Sequence, residues 1–115
     1  MCFEKLKNDI LGREYELSIA PVSEKKSREL NKKYRHKDKP TNILSFALTK
    51  QSGEIILCPA VVRRETKKFG KSFGQFLGFL VIHGMLHLKG FEHGKKMEKL
   101  EEFYCKKFKF KQKFP

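Results

Sequence analysis

The segment from Phe73 to Leu88 constrains the fold most, because it is apolar on nearly every side at helical spacing. A helix without a polar face has to be buried, so the other elements must pack around it. Ser72 and Gln75 have the spacing of a capping box, which predicts the start of this helix. Gly90 predicts its end. Its longest uninterrupted apolar run has seven residues, far fewer than the about 20 that a bilayer requires, and we expect no membrane span.

Shorter helices and a few strands are predicted around this central helix. Alternation from Tyr15 to Ile19 predicts a half-buried strand. Two further strands, Ile43–Leu48 and Glu54–Cys58, are separated by a predicted hairpin connection. Because the first strand of this pair is apolar on both faces, we expect it to be the central strand.

Three further helices complete the prediction. Ser23 is an N-cap for a helix that reaches about Tyr34, and its predicted common face consists of Val22, Lys26, Leu30 and Tyr34. A second helix opens at Pro59 and closes at Gly70. The last spans about Gly94–Phe108, with an inward stripe of Met97, Leu100, Tyr104 and Phe108. The expected architecture is α/β (α+β), a small mixed β-sheet packed against several helices, with residues 1–115 forming one domain.

The charge of the chain is unusual for its size. It has 26 Lys and Arg residues against 13 Asp and Glu, a net charge of +13. Such an excess indicates an anionic partner, with nucleic acid as the first candidate, although a merely solubilising surface is an alternative. Two stretches concentrate the charge: Lys25, Lys26, Arg28, Lys32, Lys33 and Arg35, and then Arg63, Arg64, Lys67, Lys68 and Lys71.

The cysteines and the first ten residues indicate in which cellular compartment the protein resides. Cys2, Cys58 and Cys105 are odd in number and widely spaced, which argues against a disulfide framework and for a reducing environment. The opening residues are mixed and charged and do not resemble a signal peptide. We therefore expect a soluble, cytoplasmic protein.

Three of the four histidines lie within eleven residues and suggest a metal site. His83 and His87 are one helical turn apart and would present both imidazoles on one face. A left-handed turn at Gly90 would bring His93 back towards them. Three imidazoles and a water form an open tetrahedral zinc site, which is the catalytic kind. The alternative, three histidines in ordinary core packing, is disfavoured because burying imidazoles without partners is costly.

The same histidine spacing occurs in metzincin proteases, which carry a general-base glutamate directly after the first histidine. This chain has Gly84 at that position, so peptidase chemistry is disfavoured. In a hydrolase of another kind, either the base lies elsewhere or the metal itself does most of the work of activating water. Glu92, beside His93, is one candidate for such a base or for a group that supports a metal-bound histidine. Its alternative role is that of a solvated residue near a helix start, and the residues alone leave both roles open.

Three blocks of the sequence resemble the bacterial YbeY family. His83–His93, HGMLHLKGFEH, is similar to the family signature HGxLHLxGYDH. Leu30–Phe46 resembles LNxxYRxKDxPT(D/N)VLSF, and Gly53–Ile55 stands where the family has a GDI strand. Phe91 and Glu92 replace the usual Tyr and Asp, and the segment before Tyr15 is short for the family's first strand and helix.

The resemblance implies one zinc ion (Zn²⁺) per chain, held by His83, His87 and His93. It further implies a single-strand-specific endoribonuclease that acts in ribosomal RNA maturation, at the 3′ end of small-subunit rRNA, and in ribosome quality control. Arg35 matches the family's functionally important arginine, and a guanidinium there can grip a phosphate or stabilise a transition state. The implied partners are single-stranded or ribosomal RNA and the ribosome; DNA and membranes are not expected.

Two other functions remain open at this point. The chain could be a non-catalytic factor that binds RNA or the ribosome and whose zinc is structural. A metallopeptidase is the third hypothesis, against which Gly84 argues.

Overall fold

Five helices and a three-stranded mixed sheet form the part of the chain that the computed structural model describes, residues 3–70 and 72–108. The elements in chain order are α1 (Glu4–Leu11), β1 (Glu16–Pro21), α2 (Glu24–Arg35), β2 (Ile43–Thr49), β3 (Ser52–Leu57), α3 (Pro59–Phe69), α4 (Phe73–Lys89) and α5 (Lys95–Phe108). The α+β architecture is as predicted. Cys2, Lys71 and residues 109–115 lie outside the described residues.

The helix α4 occupies the centre of the fold, as its apolar sequence requires. Ser72 and Gln75 form the predicted capping box, and Gly90 ends the helix with a φ of 110°. Val81, Ile82 and Met85 are completely buried, because α4 packs against α1, α3, α5 and the sheet. No helix in the described ranges has the length and hydropathy of a bilayer span.

The sheet order is β1-β3-β2, with β3 parallel to β1 and antiparallel to β2. The prediction that β2 is the central strand is therefore wrong, although the hairpin with β3 is confirmed. Both faces of β2 are covered only at its start, where Ile43 and Leu44 are buried, whereas residues 47–49 are exposed. Ile43 faces α4, whereas Phe46 contacts Tyr34 of α2 with ring centroids 4.9 Å apart.

The inward face of α2 is polar, which differs from the predicted face. Ser23 caps the helix as expected, accepting a hydrogen bond from the Lys26 amide. The buried residues, however, are Ser27 and Asn31, whereas Tyr34 is 52% exposed. These two polar side chains satisfy backbone groups of the following loop that would otherwise be buried without partners.

Ser27 holds this loop through two hydrogen bonds. Its hydroxyl donates to the Thr41 carbonyl at 2.8 Å and accepts from the Thr41 amide at 2.9 Å. We expect Ser27→Ala to lower the free energy of unfolding by about 2 kcal/mol, because both backbone groups lose their partner. Urea denaturation measures this change. Lys26→Ala, an exposed change on the same helix, serves as the control, and equal stability of the two variants would contradict the expectation.

Candidate metal centre

The structure brings the three predicted histidines together at the C-terminal end of α4. His83 and His87 stand one turn apart on the helix, with ring centroids separated by 4.5 Å. The chain reverses after Gly90, and the Phe91 amide donates to the Leu86 carbonyl at 3.0 Å. The His93 ring consequently lies 5.0 Å from the His83 ring and 4.8 Å from the His87 ring, measured between centroids.

The positions of the ring nitrogens fit a single metal ion. One nitrogen from each histidine lies within 4.8 Å of the other two. The Nε2 atoms of His83 and His87 are 3.1 Å apart. Two imidazole nitrogens on a tetrahedral zinc, each about 2.0–2.1 Å from the ion, would be about 3.3 Å apart. The observed separation therefore suits two ligands of one zinc.

The opposite ring nitrogens of the same two histidines have partners of their own. His87 Nδ1 lies 3.1 Å from the Phe91 carbonyl oxygen. Because a carbonyl can only accept, Nδ1 must carry the hydrogen, and Nε2 presents a lone pair. The Nδ1 atom of His83 likewise contacts the carboxylate of Glu101. When both rings are neutral with the hydrogen on Nδ1, their Nε2 lone pairs face each other, which is the arrangement that two ligands of one cation require.

The electrostatic environment of His87 favours the neutral imidazole. Burial lowers the pKa of His87, and the neighbouring charges of His83, His93 and Arg35 lower it further. The hydrogen bond to the Phe91 carbonyl acts in the opposite direction. A lowered pKa favours the neutral imidazole, which is the protonation state that a metal requires of its ligand.

A cavity of about 510 Å³ opens over these histidines. Its wall includes Arg35 from the last turn of α2, so the arginine identified by resemblance lies at the same site as the three histidines. Glu92 is exposed and does not line this cavity. The remaining lining residues come from the β2 region and α4: Asn42, Ile43, Ser45, Phe79 and Leu80.

Sequence reasoning missed several residues of this site. Glu101 is only 7% exposed and reaches His83 from α5. A signal was available, because Glu101 follows Met97 by one helical turn and interrupts the inward stripe of α5. Asn42 and Ser45 were also missed. Their polar side chains carry no comparable periodic signal in a segment that reads as a loop and an apolar strand.

The predicted basic surface is partly neutralised by acidic neighbours. Arg28 pairs with Asp38 at 2.7 Å, and Arg64 of α3 pairs with Glu24 of α2 at 2.6 Å. Both pairs are exposed and contribute little to stability. Four lysines of α2 are exposed and take part in no ion pair among the described residues: Lys25, Lys26, Lys32 and Lys33.

Comparisons with known proteins show the family to which the chain belongs. The family described as Endoribonuclease YbeY has a sequence model that matches residues 2–109. Relatives named Endoribonuclease YbeY include proteins of Colwellia psychrerythraea, Staphylococcus carnosus and Lactobacillus helveticus, which are 41%, 36% and 37% identical. The matches cover 78%, 87% and 76% of this chain.

The chain spans 63%, 70% and 61% of the length of these three relatives, respectively. A solved structure is also similar over nearly the whole chain. It is the solution structure of a Thermotoga maritima protein that is 30% identical, with a TM-score of 0.66, and the match covers 98% of this chain and 89% of that one. The family match, the identity of the relatives and the shared fold lead to one conclusion: the chain belongs to the YbeY family.

Proposed function

We propose that this protein is a zinc-dependent endoribonuclease that cleaves single-stranded RNA. The observation that carries the proposal is the placement of three converging imidazoles and the Arg35 guanidinium around one open cavity. The name of its relatives, Endoribonuclease YbeY, supports the same activity. The net charge of +13 supports a polyanionic substrate.

When bound, zinc supplies Lewis-acid polarisation of the scissile phosphodiester. The residues of the chain bind and orient that group. Arg35 can donate two parallel hydrogen bonds to phosphate oxygens and offset the charge that develops there. Asn42 is held by its side-chain amide, which donates to the Glu65 carboxylate at 2.8 Å. Ser45 adds a hydroxyl to the same wall, suited to hydrogen bonding with the RNA.

The role of Glu92 as a catalytic base stays a prediction. It directly precedes His93 on the turn after α4, and its side chain is exposed. A second function, RNA or ribosome binding with a structural zinc, is favoured by the charge of the chain alone. The open cavity beside the histidines weighs against it, because structural zinc sites are closed.

The biological setting we propose is the cytoplasm, where the enzyme matures the 3′ end of small-subunit rRNA and acts in ribosome quality control. The ribosome and its RNA would be the principal partners. A surface rich in lysine and arginine supports binding to folded and single-stranded RNA alike.

Arg35→Ala provides the direct test of this activity. We expect zinc-loaded protein to lose about 100-fold to 1,000-fold in kcat/KM on a single-stranded RNA, because one charged donor to the transition state is removed. Its fold and zinc content should stay unchanged, since Arg35 is exposed. Lys32→Ala, an exposed change in the same turn of α2, is the matched control and should weaken RNA binding only modestly.

Cleavage rates that are equal in the wild type and Arg35→Ala would refute the role of this arginine. If His87→Ala also cleaved at that rate, the activity would belong to a contaminating nuclease, and the RNA-binding function would become the better proposal.

A further inference from the structure

The carboxylate of Glu101 is placed where ordinary packing would put an apolar side chain. It lies in α5 with 7% of its surface exposed, and α5 packs against α4. A buried carboxylate is costly unless charge and hydrogen bonding compensate for it. Among the ion pairs of the described residues, this carboxylate is paired with His83 alone.

The contact is with the ring nitrogen that points away from the other histidines. Nδ1 of His83 meets Glu101, while Nε2 of the same ring lies 3.1 Å from Nε2 of His87. A carboxylate that accepts from Nδ1 fixes the hydrogen on that nitrogen and leaves the Nε2 lone pair facing the other ligands. It also fixes the rotation of the ring.

We propose that Glu101 is a positioning residue that orients His83 for zinc. It does not line the cavity, so it acts through His83 and not on the RNA. This inference rests on the metal centre of the proposed function but not on RNA cleavage itself.

The two helical ligands are held by different means. His87 is oriented by a backbone carbonyl four residues away, that of Phe91. His83 is oriented by a side chain 18 residues away on another helix. Zinc affinity therefore depends on the docking of α5 onto α4, which no feature of the histidine motif itself implies.

The test is the dissociation constant of zinc, measured by competition with a chromogenic chelator at fixed pH. Glu101→Ala is expected to weaken zinc binding by about 10-fold to 100-fold, the usual effect of losing a partner behind a metal-bound histidine. Glu101→Gln keeps an acceptor oxygen and should weaken it less. Glu98→Gln, an exposed change in the first turn of α5, is the control and should bind zinc like the wild type.

A second readout separates positioning from general support of the fold. For this readout the wild type and the variants are loaded with cobalt(II) in place of zinc, because the visible absorption of cobalt(II) reports the geometry of its ligands. We expect an altered spectrum in both Glu101 variants and an unaltered one in Glu98→Gln. A residue with a merely structural role would lower the melting temperature of the metal-free protein and leave the cobalt spectrum unchanged.

The outcomes distinguish this inference from the proposed function. If the wild type itself fails to bind zinc, the metal centre is wrong and the inference falls with it. The positioning role is refuted, while the metal centre stands, if the wild type binds zinc and both Glu101 variants have zinc dissociation constants within about threefold of the wild-type value. Such a change is well below the one expected. Should Glu101→Ala fail to fold, Glu101→Gln alone decides the question.

Discussion

Replacing His87 with alanine is expected to abolish stoichiometric zinc binding and to reduce cleavage of single-stranded RNA by about 1,000-fold or more. The substitution removes one of three converging nitrogens and leaves His83 and His93 as the only histidines at the site. Two imidazoles cannot complete a tetrahedral site with a single open position. Metal analysis of the purified variant and an assay on a fluorescent RNA measure the two effects.

His36→Asn is the matched control for this experiment. His36 is the histidine outside the cluster, an exposed residue that ends α2 with a φ of 60°. Asparagine tolerates this left-handed conformation, so the backbone should be preserved. We expect His36→Asn to keep its zinc and its activity.

RNA binding by His87→Ala separates the two leading functions. Its affinity for RNA, measured at one salt concentration, should stay close to that of the wild type because lysines and arginines supply the binding. A His87→Ala protein that retained one zinc per chain and full cleavage would overturn the metal centre. Loss of RNA binding together with zinc would instead favour a structural metal.

Gly84→Glu introduces the glutamate that the metzincin motif has at this position. We expect this substitution to unfold the protein and not to create a peptidase. Gly84 is buried against the sheet. A Cβ atom there would lie 2.8 Å from the Ser45 hydroxyl oxygen and 3.1 Å and 3.2 Å from the ends of Ile43 and Ile55. A glutamate would add its carboxylate to this filled space. We expect the free energy of unfolding to fall by about 4 kcal/mol or more, which is a large part of the total for a domain of this size.

Two control variants show whether the size or the charge of the new side chain causes the loss of stability. Gly84→Ala should change the free energy of unfolding by at most about 2 kcal/mol, since overpacking against Ser45 is offset by the better helix propensity of alanine. Lys89→Glu places the same acidic side chain at the exposed end of α4 and should cost no more than about 1 kcal/mol. Denaturant titration compares all three. A folded Gly84→Glu protein with zinc-dependent peptidase activity would refute the argument from packing.

The sequence determined those features that depend on neighbours along the chain. The capping box at Ser72 and the left-handed end at Gly90 are local, and both are confirmed. The clustering of His83, His87 and His93 is local as well, because helical periodicity and one turn suffice to bring them together. For this reason the histidine cluster could be predicted from eleven residues.

Tertiary structure alone decided which strand is central and which face of α2 is buried. An apolar pattern on both faces of a strand predicts that both faces are covered, as in a central strand. β2 nevertheless lies at the edge of the sheet, and its last three residues, 47–49, are exposed. Ser27 and Asn31 are buried because a loop, not an apolar surface, packs against them. Periodicity of apolar residues cannot reveal a polar contact of that kind.

The residues of the site also fall into those that local sequence predicts and those that only helix packing brings there. Its three histidines are set by spacing within one short segment, whereas Arg35 and Glu101 reach it from two other helices. Family resemblance indicated Arg35, but nothing in the spacing of the residues places either side chain beside His83. Their positions depend on how α2 and α5 pack around α4. That packing is decided by the summed burial and hydrogen bonding of the whole fold, which no local pattern encodes.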